Sequence, residues 1–310
     1  MTKKESVSLL VRWGLSQEHA DTVIDCFTTA DDYGVTTHGM AVFQSHLDRI
    51  KRGGYNLTPN FKTIRETASF AVIDGDNAIG PVAANYCMEY AVRHSKEVGI
   101  FTVFAKNNNT LGPAFYYPLK AAEQGMIGFI CSNSPAQMAP VGGGEKMIGT
   151  NPFSAVIPVP GQDPIIIDMA TSIVAKSKFK EYKEAGQQLP EGWALDRNGI
   201  PTTDPDEAIQ GLVLPMAGFK GYAIAMLIDI LAGVLSGAAF LNHVGRFYSE
   251  DNESMNVGYF IVSIDPKIIF GNTYEEKITG YVDELRHSKS VDGMTIILPG
   301  DDRLRFKKNL

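Results

Sequence analysis

The sequence lacks paired cysteines and any excess of basic residues, and both absences exclude classes of protein. Its 310 residues include three cysteines, 28 Lys and Arg, and 35 Asp and Glu, which give a net charge of −7. A nucleic-acid partner requires a basic face, so we expect none. The cysteines Cys26, Cys87 and Cys131 lie among apolar residues without metal-ligand spacing. We therefore expect free, buried thiols and no metal site.

The sequence also lacks a run of apolar residues long enough to span a membrane. The N-terminus, Met-Thr-Lys-Lys-Glu, has no apolar core of the kind that export signals carry. Residues 223–235 are strongly apolar, but they are too few to cross a bilayer and Asp229 interrupts them. This segment is predicted to form a buried helix. Together with the cysteine usage, these features predict a cytoplasmic protein without a membrane partner.

The pattern of apolar residues divides the chain into a helical beginning and a sheet-bearing remainder. Apolar residues repeat at helical spacing in 17–30, after Ser16, which is a good N-cap. From Ser69 they alternate as in a strand. Further helices are predicted at 4–14, 82–97, 113–124 and 273–289, and strands at 100–105, 126–132 and 258–265. The length allows two domains, with a boundary near residues 60–70.

Three polar stretches are predicted to lie at the surface or to connect elements. Lys176, Lys178 and Lys180 alternate along the chain, which favours a solvated face of a helix. Residues 185–206 are rich in Gly and Pro and are predicted to form a long connection that closes over the sheet. Residues 237–256 are charged and are predicted to form an exposed loop.

The stretch 135–172 contains the most distinctive local pattern. Residues 142–144 are consecutive glycines, whose amides can approach an anionic ligand closely because no Cβ intervenes. A turn around Thr150 adds polar donors. Residues 165–167 form a short β-branched run that ends at Asp168, and strand ends commonly carry ligand-binding groups. Alone, this pattern is equally consistent with a glycine-rich surface loop between two strands.

The order of motifs resembles the malate/L-lactate dehydrogenase family that is unrelated to Rossmann-type enzymes and includes ureidoglycolate, sulfolactate and diketogulonate oxidoreductases. Residues 34–39 read GVTTHG, similar to the family's RGVxSHG, and 168–172 read DMATS, as in the family. Further matches lie at 132–134, 139–152, 189–203, 214–222 and 298–301. Because the motifs cover nearly the whole chain in one order, a chance agreement is excluded.

The resemblance implies an α+β fold and an enzyme. A helical domain that binds substrate and a second subunit would comprise residues 1–68, together with the C-terminal segment 290–310. A mixed-sheet α/β domain that binds the nicotinamide would comprise residues 69–289. The implied cofactor is NAD or NADP, the implied partner is a small-molecule substrate, and the implied assembly is a homodimer. The usual acidic ribose marker belongs to another fold, so NAD and NADP stay open.

The resemblance also implies which residues contact the cofactor. In the family, the strand-end aspartate motif, a lysine between glycines and a Pro-Gly-Glu turn serve this purpose. A lysine at the start of a helix suits a phosphate or ribose oxygen. The matching positions in this sequence are Ser134, Asp168, Met169, Ala170, Lys220, Gly221, Pro299, Gly300 and Asp301.

His38 is the implied proton donor, since the family carries a histidine in this motif of the substrate site. An imidazole of ordinary pKa can protonate an oxygen near neutral pH. Thr37 and Asn109 are implied substrate contacts. Thr110 occupies a position where relatives carry a second catalytic histidine. A hydroxyl forms hydrogen bonds but cannot hold a proton charge near pH 7.

Two more substrate positions depart from the family pattern. Relatives carry arginine and tyrosine where this chain has Val42 and His46. Arginine is the natural bidentate partner of a substrate carboxylate, so ordinary 2-oxo acid recognition requires other groups here. His46 is either a second ionisable group in the substrate site or a solvated helix residue.

The resemblance implies an oxidoreductase that transfers hydride between NAD or NADP and a small 2-oxo or 2-hydroxy acid. One alternative is a ketimine reductase that acts on a cyclic imino acid, because a protonated imine does not need a strong acid at Thr110. A second alternative is a relative that binds nicotinamide and has lost turnover through Val42, His46 and Thr110.

Overall fold

The computed structural model describes residues 1–249 and 253–309. Most of the predicted helices and strands are confirmed, with ends that differ by a few residues. The α-helices are α1 Lys3–Arg12, α2 Gln17–Asp32, α3 Phe43–Lys51, α4 Gly80–Val98, α5 Tyr116–Ala122, α6 Ser177–Glu184, α7 Pro205–Gln210, α8 Phe219–Ile228, α9 Pro266–Phe270, α10 Thr273–Arg286 and α11 Asp301–Lys308.

The central sheet contains seven strands in the order β1-β2-β3-β12-β4-β7-β8. Only β2 and β3 pair in parallel, while the other neighbours are antiparallel. The strands are β1 Lys62–Glu66, β2 Phe70–Asp74, β3 Ile100–Asn108, β4 Ile127–Ser132, β5 Ala136–Met138, β6 Ile148–Gly149, β7 Phe153–Ile157, β8 Ile165–Met169, β9 Ala194–Leu195, β10 Pro201–Thr202, β11 Leu212–Val213 and β12 Val257–Ile264. A parallel Rossmann sheet is absent from the described residues, and the predicted α+β fold is confirmed.

The N-terminal helices form their own apolar cluster. Thr2 and Glu5 complete a capping box at the start of α1, and Ser16 caps α2 through the amide of His19. The buried members of the cluster come from α1, α2, α3 and the start of α4, and include Leu10, Val23, Phe27, Phe43 and Ile79. The larger cluster lies between the sheet and helices α4 and α5. The first strand, Lys62–Glu66, already belongs to the sheet, so the sheet begins before residue 69.

The segment 223–235 is helical, but the prediction that it is buried is wrong for one face. It comprises α8 and a turn of π-helix, Asp229–Val234. One side packs inside, where Asp229 accepts hydrogen bonds from Asn133 and from the amide of Leu241. The other side is exposed, and no described residue of this chain covers it. We call this set the apolar face of α8; its members are Phe219, Met226, Leu227, Ile230, Val234 and Leu235.

The connection 185–206 contains two short strands, β9 and β10, which form a three-stranded sheet with β11. This small sheet packs on α6 and on the β5–β6 hairpin through an apolar cluster. The predicted loop 237–256 includes residues 250–252, which lie outside the described residues. Its remaining part holds a short 3-10 turn, Leu241–His243. In the described ranges, no helix has both the length and the apolar character needed to cross a bilayer.

The C-terminal helix α11 is attached to the edge of the central sheet. The amide of Ile166 in β8 donates to the carbonyl of Pro299 at 3.0 Å. Gly300 has φ +96°, and a Cβ there would lie 2.7 Å from Cβ of Ile166. Only glycine therefore permits this turn and this approach. The contact places the first turn of α11 beside the end of β8.

Candidate active site

A cleft of about 680 Å³ lies at the end of β8. Its lining comes from the 3-10 turn Thr36–His38, the loop 112–114 after β3, the end of β8, the segment 172–177, and α11. Clefts of this size are typical of sites that bind small molecules and cofactors. The structure thus brings together segments that are far apart in sequence.

Two glycines shape the turn that carries His38. Gly34 has φ +74°, which lets the chain leave the end of α2. Gly39 packs so closely on Asp31 that a Cβ would lie 1.9 Å from Oδ1. The other oxygen of Asp31 accepts the amide of Met40 at 2.9 Å. Asp31 therefore fixes the chain directly after His38.

His38 lies in the cleft, and its Nδ1 is 3.0 Å from the hydroxyl of Thr37. Water reaches the ring, yet the protein atoms around it displace enough solvent to lower the pKa of His38 below its usual value. The nearby carboxylate of Asp168 acts in the opposite direction, and Arg303 lowers the pKa further. His38 is therefore mostly neutral at pH 7, and its protonated form is a stronger acid than an ordinary imidazolium.

Asp168 is held by an arginine that the sequence reasoning missed. Arg303 of α11 donates to Oδ2 of Asp168 at 2.6 Å and to its backbone carbonyl at 3.3 Å. The side chain of Asp168 is only 13% exposed and that of Arg303 only 20%. Arg303 also lies over the ring of Phe115. No sequence spacing relates two residues 135 positions apart, so only the fold reveals this pair.

Three more of the residues predicted to contact the cofactor, Met169, Ala170 and Ser134, lie in two different environments. Met169 and Ala170 line the cleft, and Met169 is 43% exposed. Ser134 lies outside the cleft lining, where its hydroxyl accepts the amide of Asn151. Its own amide donates to Oδ1 of Asn151 at 3.0 Å. The structure therefore gives Ser134 a role in fixing the turn at Asn151.

Lys220 and Gly221 begin α8 next to the segment 168–172. Lys220 is exposed, and its side chain has no hydrogen bond or ion pair within residues 1–249 and 253–309. A Cβ on Gly221 would lie 2.3 Å from the carbonyl of Met216 and 2.8 Å from that of Thr171. Gly221 thus allows the close approach of α8 to the cleft-lining segment, and Lys220 stays available for a ligand.

The turn 299–301 does not offer a free carboxylate to a cofactor. Asp301 is buried, and both of its oxygens accept from Arg286, at 2.8 and 2.9 Å. Hydrogen bonding from Arg286 is the main cause of its lowered pKa. The amide of Leu298 donates to the same carboxylate. The sequence predicts that Asp301 contacts the cofactor. In the structure, its side chain fixes the turn that positions α11.

Of the predicted substrate residues, Thr37 lines the cleft and Asn109 does not. Asn109 is fully buried, and its side chain donates to Asn77 and to the carbonyl of Ala78 while accepting from Arg49. All of its polar atoms are therefore engaged within the protein. Thr110 is half-buried beside the cleft-lining loop but is not part of the lining.

His46 lies in the core of the helical cluster, so the structure places it neither in the cleft nor in solvent. It is 3% exposed, shares a hydrogen bond of 2.8 Å with Tyr55, and packs against Phe27 and Phe247. Burial and the charge of Arg49 lower the pKa of His46 to about 3. His46 is neutral at ordinary pH and cannot replace a substrate-binding arginine from this position.

Sequence reasoning also missed Lys176 and Gln137, which line the cleft. The alternation of three lysines predicted a solvated face, but Lys176 is half-buried before the first turn of α6. The cysteines are free and buried, as predicted. Within the described residues, no group of three potential metal ligands comes together.

The comparisons with known proteins agree on one family. The family model for malate/L-lactate dehydrogenase matches residues 2–309. A malate dehydrogenase from Pyrococcus horikoshii is 38% identical over 292 residues, which cover 91% of this chain and 80% of the relative. A ureidoglycolate dehydrogenase (NAD(+)) from Escherichia coli K12 is 33% identical, with 95% of this chain and 84% of the relative covered.

The solved structures agree with the sequence relatives. The sulfolactate dehydrogenase from Methanocaldococcus jannaschii superposes with a TM-score of 0.93 at 34% identity, and the match covers 99% of this chain and 89% of that one. Agreement over almost the whole length excludes a similarity limited to one domain. The chain therefore belongs to the malate/L-lactate dehydrogenase family and is an oxidoreductase.

Proposed function

We propose that this chain transfers hydride between NAD or NADP and a small 2-oxo or 2-hydroxy acid. The observation that carries the proposal is the meeting of His38 with the Asp168–Arg303 pair in one cleft. A titratable imidazole and a fixed carboxylate–guanidinium pair are the groups expected where protons and anionic substrates are handled. The cleft also has the volume of a small-molecule site.

The residues present fit a nicotinamide dinucleotide. The end of β8 offers Met169 and Ala170 to the cleft, with an exposed thioether and a small side chain. Lys220 has no partner within the described ranges and can hold a phosphate or ribose oxygen. When bound, the nicotinamide supplies or accepts the hydride. The protein's task is then to hold both reactants and to move one proton.

His38 is the group that we assign to the proton. In the oxidation direction, the neutral imidazole accepts the proton of the substrate hydroxyl. In the reduction direction, the imidazolium donates a proton to the developing alkoxide. The lowered pKa of His38 favours the neutral form at pH 7, so oxidation begins with the correct protonation state. Thr37, at 3.0 Å from Nδ1, orients the ring.

The geometry also suggests a division of labour between two parts of the chain. We assign substrate binding to residues 1–68 with the C-terminal segment 290–310, because they contribute Thr37, His38 and Arg303 to the cleft. We assign nicotinamide binding to residues 69–289, which contribute the end of β8 and the start of α8. We also propose a cytoplasmic location, which is consistent with the three free thiols.

We further propose a homodimer formed through the apolar face of α8. Leu227 is 54% exposed, Ile230 41% and Leu235 55%. A contiguous exposed apolar helix face is a common feature of subunit interfaces. Since Lys220 lies in the first turn of α8, the same contact would also stabilise one side of the proposed cofactor site.

A ketimine reductase is the second candidate, and Thr110 is the observation that favours it. A hydroxyl cannot supply a proton as a histidine can, whereas a protonated imine already carries the proton that a carbonyl would need. Loss of turnover is the remaining alternative. A protein of that kind would bind nicotinamide without catalysing a reaction. The presence of His38 in the cleft argues against this alternative.

The test is oxidation of NADH and of NADPH by the purified protein with a panel of 2-oxo acids and cyclic imino acids near neutral pH. Turnover of 2-oxo acids supports the first proposal. Turnover restricted to imino acids supports the ketimine reductase. Cofactor binding without turnover of any panel member would contradict both.

A further inference from the structure

Lys176 lies in the cleft wall without an acidic partner among the described residues. Its Nζ donates to Oε1 of Gln137 at 2.9 Å and to the carbonyl of Gly211 at 3.2 Å. The side chain is half-buried, so water does not fully solvate the ammonium group. No carboxylate lies within ion-pair distance of Lys176 in the described part of the chain. A cation in this position lacks a counter-ion.

A second lysine lies next to Lys176 and intensifies the positive charge. Lys146, on the loop between β5 and β6, donates to the carbonyl of Gln210 at 3.0 Å. It too has no acidic partner within residues 1–249 and 253–309. Burial lowers the pKa of Lys146, and the positive charge of Arg246 lowers it further. Two ammonium groups therefore lie close together on the adjacent carbonyls of Gln210 and Gly211.

The electrostatics of the pair indicate a missing negative charge. Burial, followed by the charge of Lys146, lowers the pKa of Lys176 to about 8. Like charges that are held together raise the free energy of the protonated form. An anion bound between them would remove this penalty and hold both lysines in their charged state. An oxyanion is therefore the kind of ligand that this pair of lysines suits.

We propose that Lys176 in the cleft wall, together with Lys146 beside it, forms an anion-binding site, which takes an acidic group of a bound molecule remote from the reacting carbon. The shared chemistry is a phosphate, sulfonate or carboxylate, from either the cofactor's ribose phosphate or a second acid group of the substrate. This inference rests on the proposed function, since it assigns a subsite within the same cleft. The hydroxyl of Ser177 lines the same wall and offers one more donor.

A simpler interpretation is that the lysines only cap helix α7. Both ammonium groups contact carbonyls at its C-terminus, those of Gln210 and Gly211. The end of a helix carries about half of a negative charge at most, however, and α7 has only six residues. This partial charge cannot balance two ammonium groups. Moreover, capping alone does not explain why Lys176 lines the cleft.

The first experiment compares cofactor affinities of the wild type and Lys176→Met by fluorescence titration with NADPH and NADH. If the anion is the ribose phosphate, Kd for NADPH rises about tenfold or more, as expected for loss of a charge-assisted contact, while Kd for NADH stays constant. If the anion belongs to the substrate, both Kd values stay constant. In that case KM rises about tenfold for 2-oxo acids with a second acid group and is unchanged for pyruvate.

The second experiment uses pH, because Lys176 loses its charge as pH rises through about 8. Affinity for the anionic ligand identified above should fall between about pH 7 and 9 in the wild type. Lys176→Arg keeps its charge over this range and should show a flat profile. The other charged groups that face the site are Lys146 and Arg246 on the same side, and His38, Asp168 and Arg303 across the cleft. The same pH series on Lys176→Met measures the contribution of these other charged groups alone.

The matched control is Lys178→Met, which removes a lysine two residues away that pairs with Glu181 on the surface. It should behave as the wild type in every titration. Thermal unfolding with and without inorganic sulfate tests the site without any dinucleotide, since sulfate should raise the Tm of the wild type and of Lys178→Met more than that of Lys176→Met. Failure of the proposed function would abolish dinucleotide binding and turnover but leave this sulfate difference. Equal sulfate shifts, unchanged affinities and unchanged KM values in Lys176→Met would overturn the anion site.

Discussion

Arg303, in the C-terminal helix, donates to Oδ2 of Asp168 at the end of β8 across 2.6 Å. Two hydrogen-bonding contacts fix the turn before this helix. The carbonyl of Pro299 accepts the amide of Ile166, and the carboxylate of Asp301 accepts from Arg286. Arg303 therefore reaches the cleft from a helix that is anchored to the same strand. Helix α11 therefore contributes to the wall of the cleft.

Replacing Arg303 tests whether this pair orders the site. Arg303→Met leaves a mostly buried carboxylate without its partner, so we expect a loss of about 1–3 kcal/mol in the free energy of unfolding and weaker dinucleotide binding. Urea denaturation and cofactor titration measure the two effects. Arg305→Met removes an exposed arginine of the same helix and serves as the control. Wild-type stability and affinity in Arg303→Met would show that the pair is incidental.

The role of His38 predicts opposite pH profiles for the two reaction directions. Reduction needs the imidazolium, so its kcat/KM should fall as pH rises through the lowered pKa of His38. Oxidation needs the neutral ring, so its kcat/KM should rise through the same range. His38→Ala should lower turnover by about a hundredfold or more and remove this dependence. His243→Ala, an exposed histidine outside the cleft, should change neither. An unchanged rate in His38→Ala would exclude the proton-transfer role.

Lys220 is predicted to bind the cofactor electrostatically. Lys220→Ala should raise the Kd of the dinucleotide by about tenfold or more, since the ammonium group has no other partner in the described residues. The effect should shrink at high salt because the lysine is exposed. Lys180→Ala removes an exposed lysine of α6 and should bind normally. Normal affinity in Lys220→Ala would mean that Lys220 has only a structural role in the first turn of α8.

The apolar face of α8 predicts how the subunits associate. Leu227→Glu places a charge in the proposed interface and should convert a dimer into monomers, as measured by analytical ultracentrifugation at micromolar concentration. Leu285→Glu alters an exposed apolar residue on α10 and should leave the mass unchanged. A monomeric wild type, or a dimeric Leu227→Glu variant, would contradict this interface.

The elements near the site could be predicted because their signals are local. The β-branched run 165–167 and the following Asp168 indicated a strand with a polar residue at its end, and β8 has this form. The spacing of apolar residues likewise indicated α2, and Ser16 indicated its start. These features depend on neighbours in sequence, which a single chain reveals directly.

The errors concern contacts between distant segments. His46 has the same local sequence whether it faces solvent or not, and contacts with Phe27 and Phe247, which are distant in sequence, bury it. The partner of Asp168 is an arginine in the last helix, which no spacing rule connects to it. The apolar residues of α8 predict a buried helix, but most of one face is exposed, because a sequence does not distinguish a core face from an unpartnered one.

The most direct test of hydride transfer follows the label from the cofactor to the product. NADH or NADPH that carries deuterium on the transferred position of C4 is incubated with the protein and the best substrate of the panel, and mass spectrometry locates the deuterium. Our account predicts one deuterium on the carbon that bore the carbonyl or imine, and a rate that drops strongly in His38→Ala. Product without deuterium, or cofactor that stays fully labelled with every substrate, would contradict it.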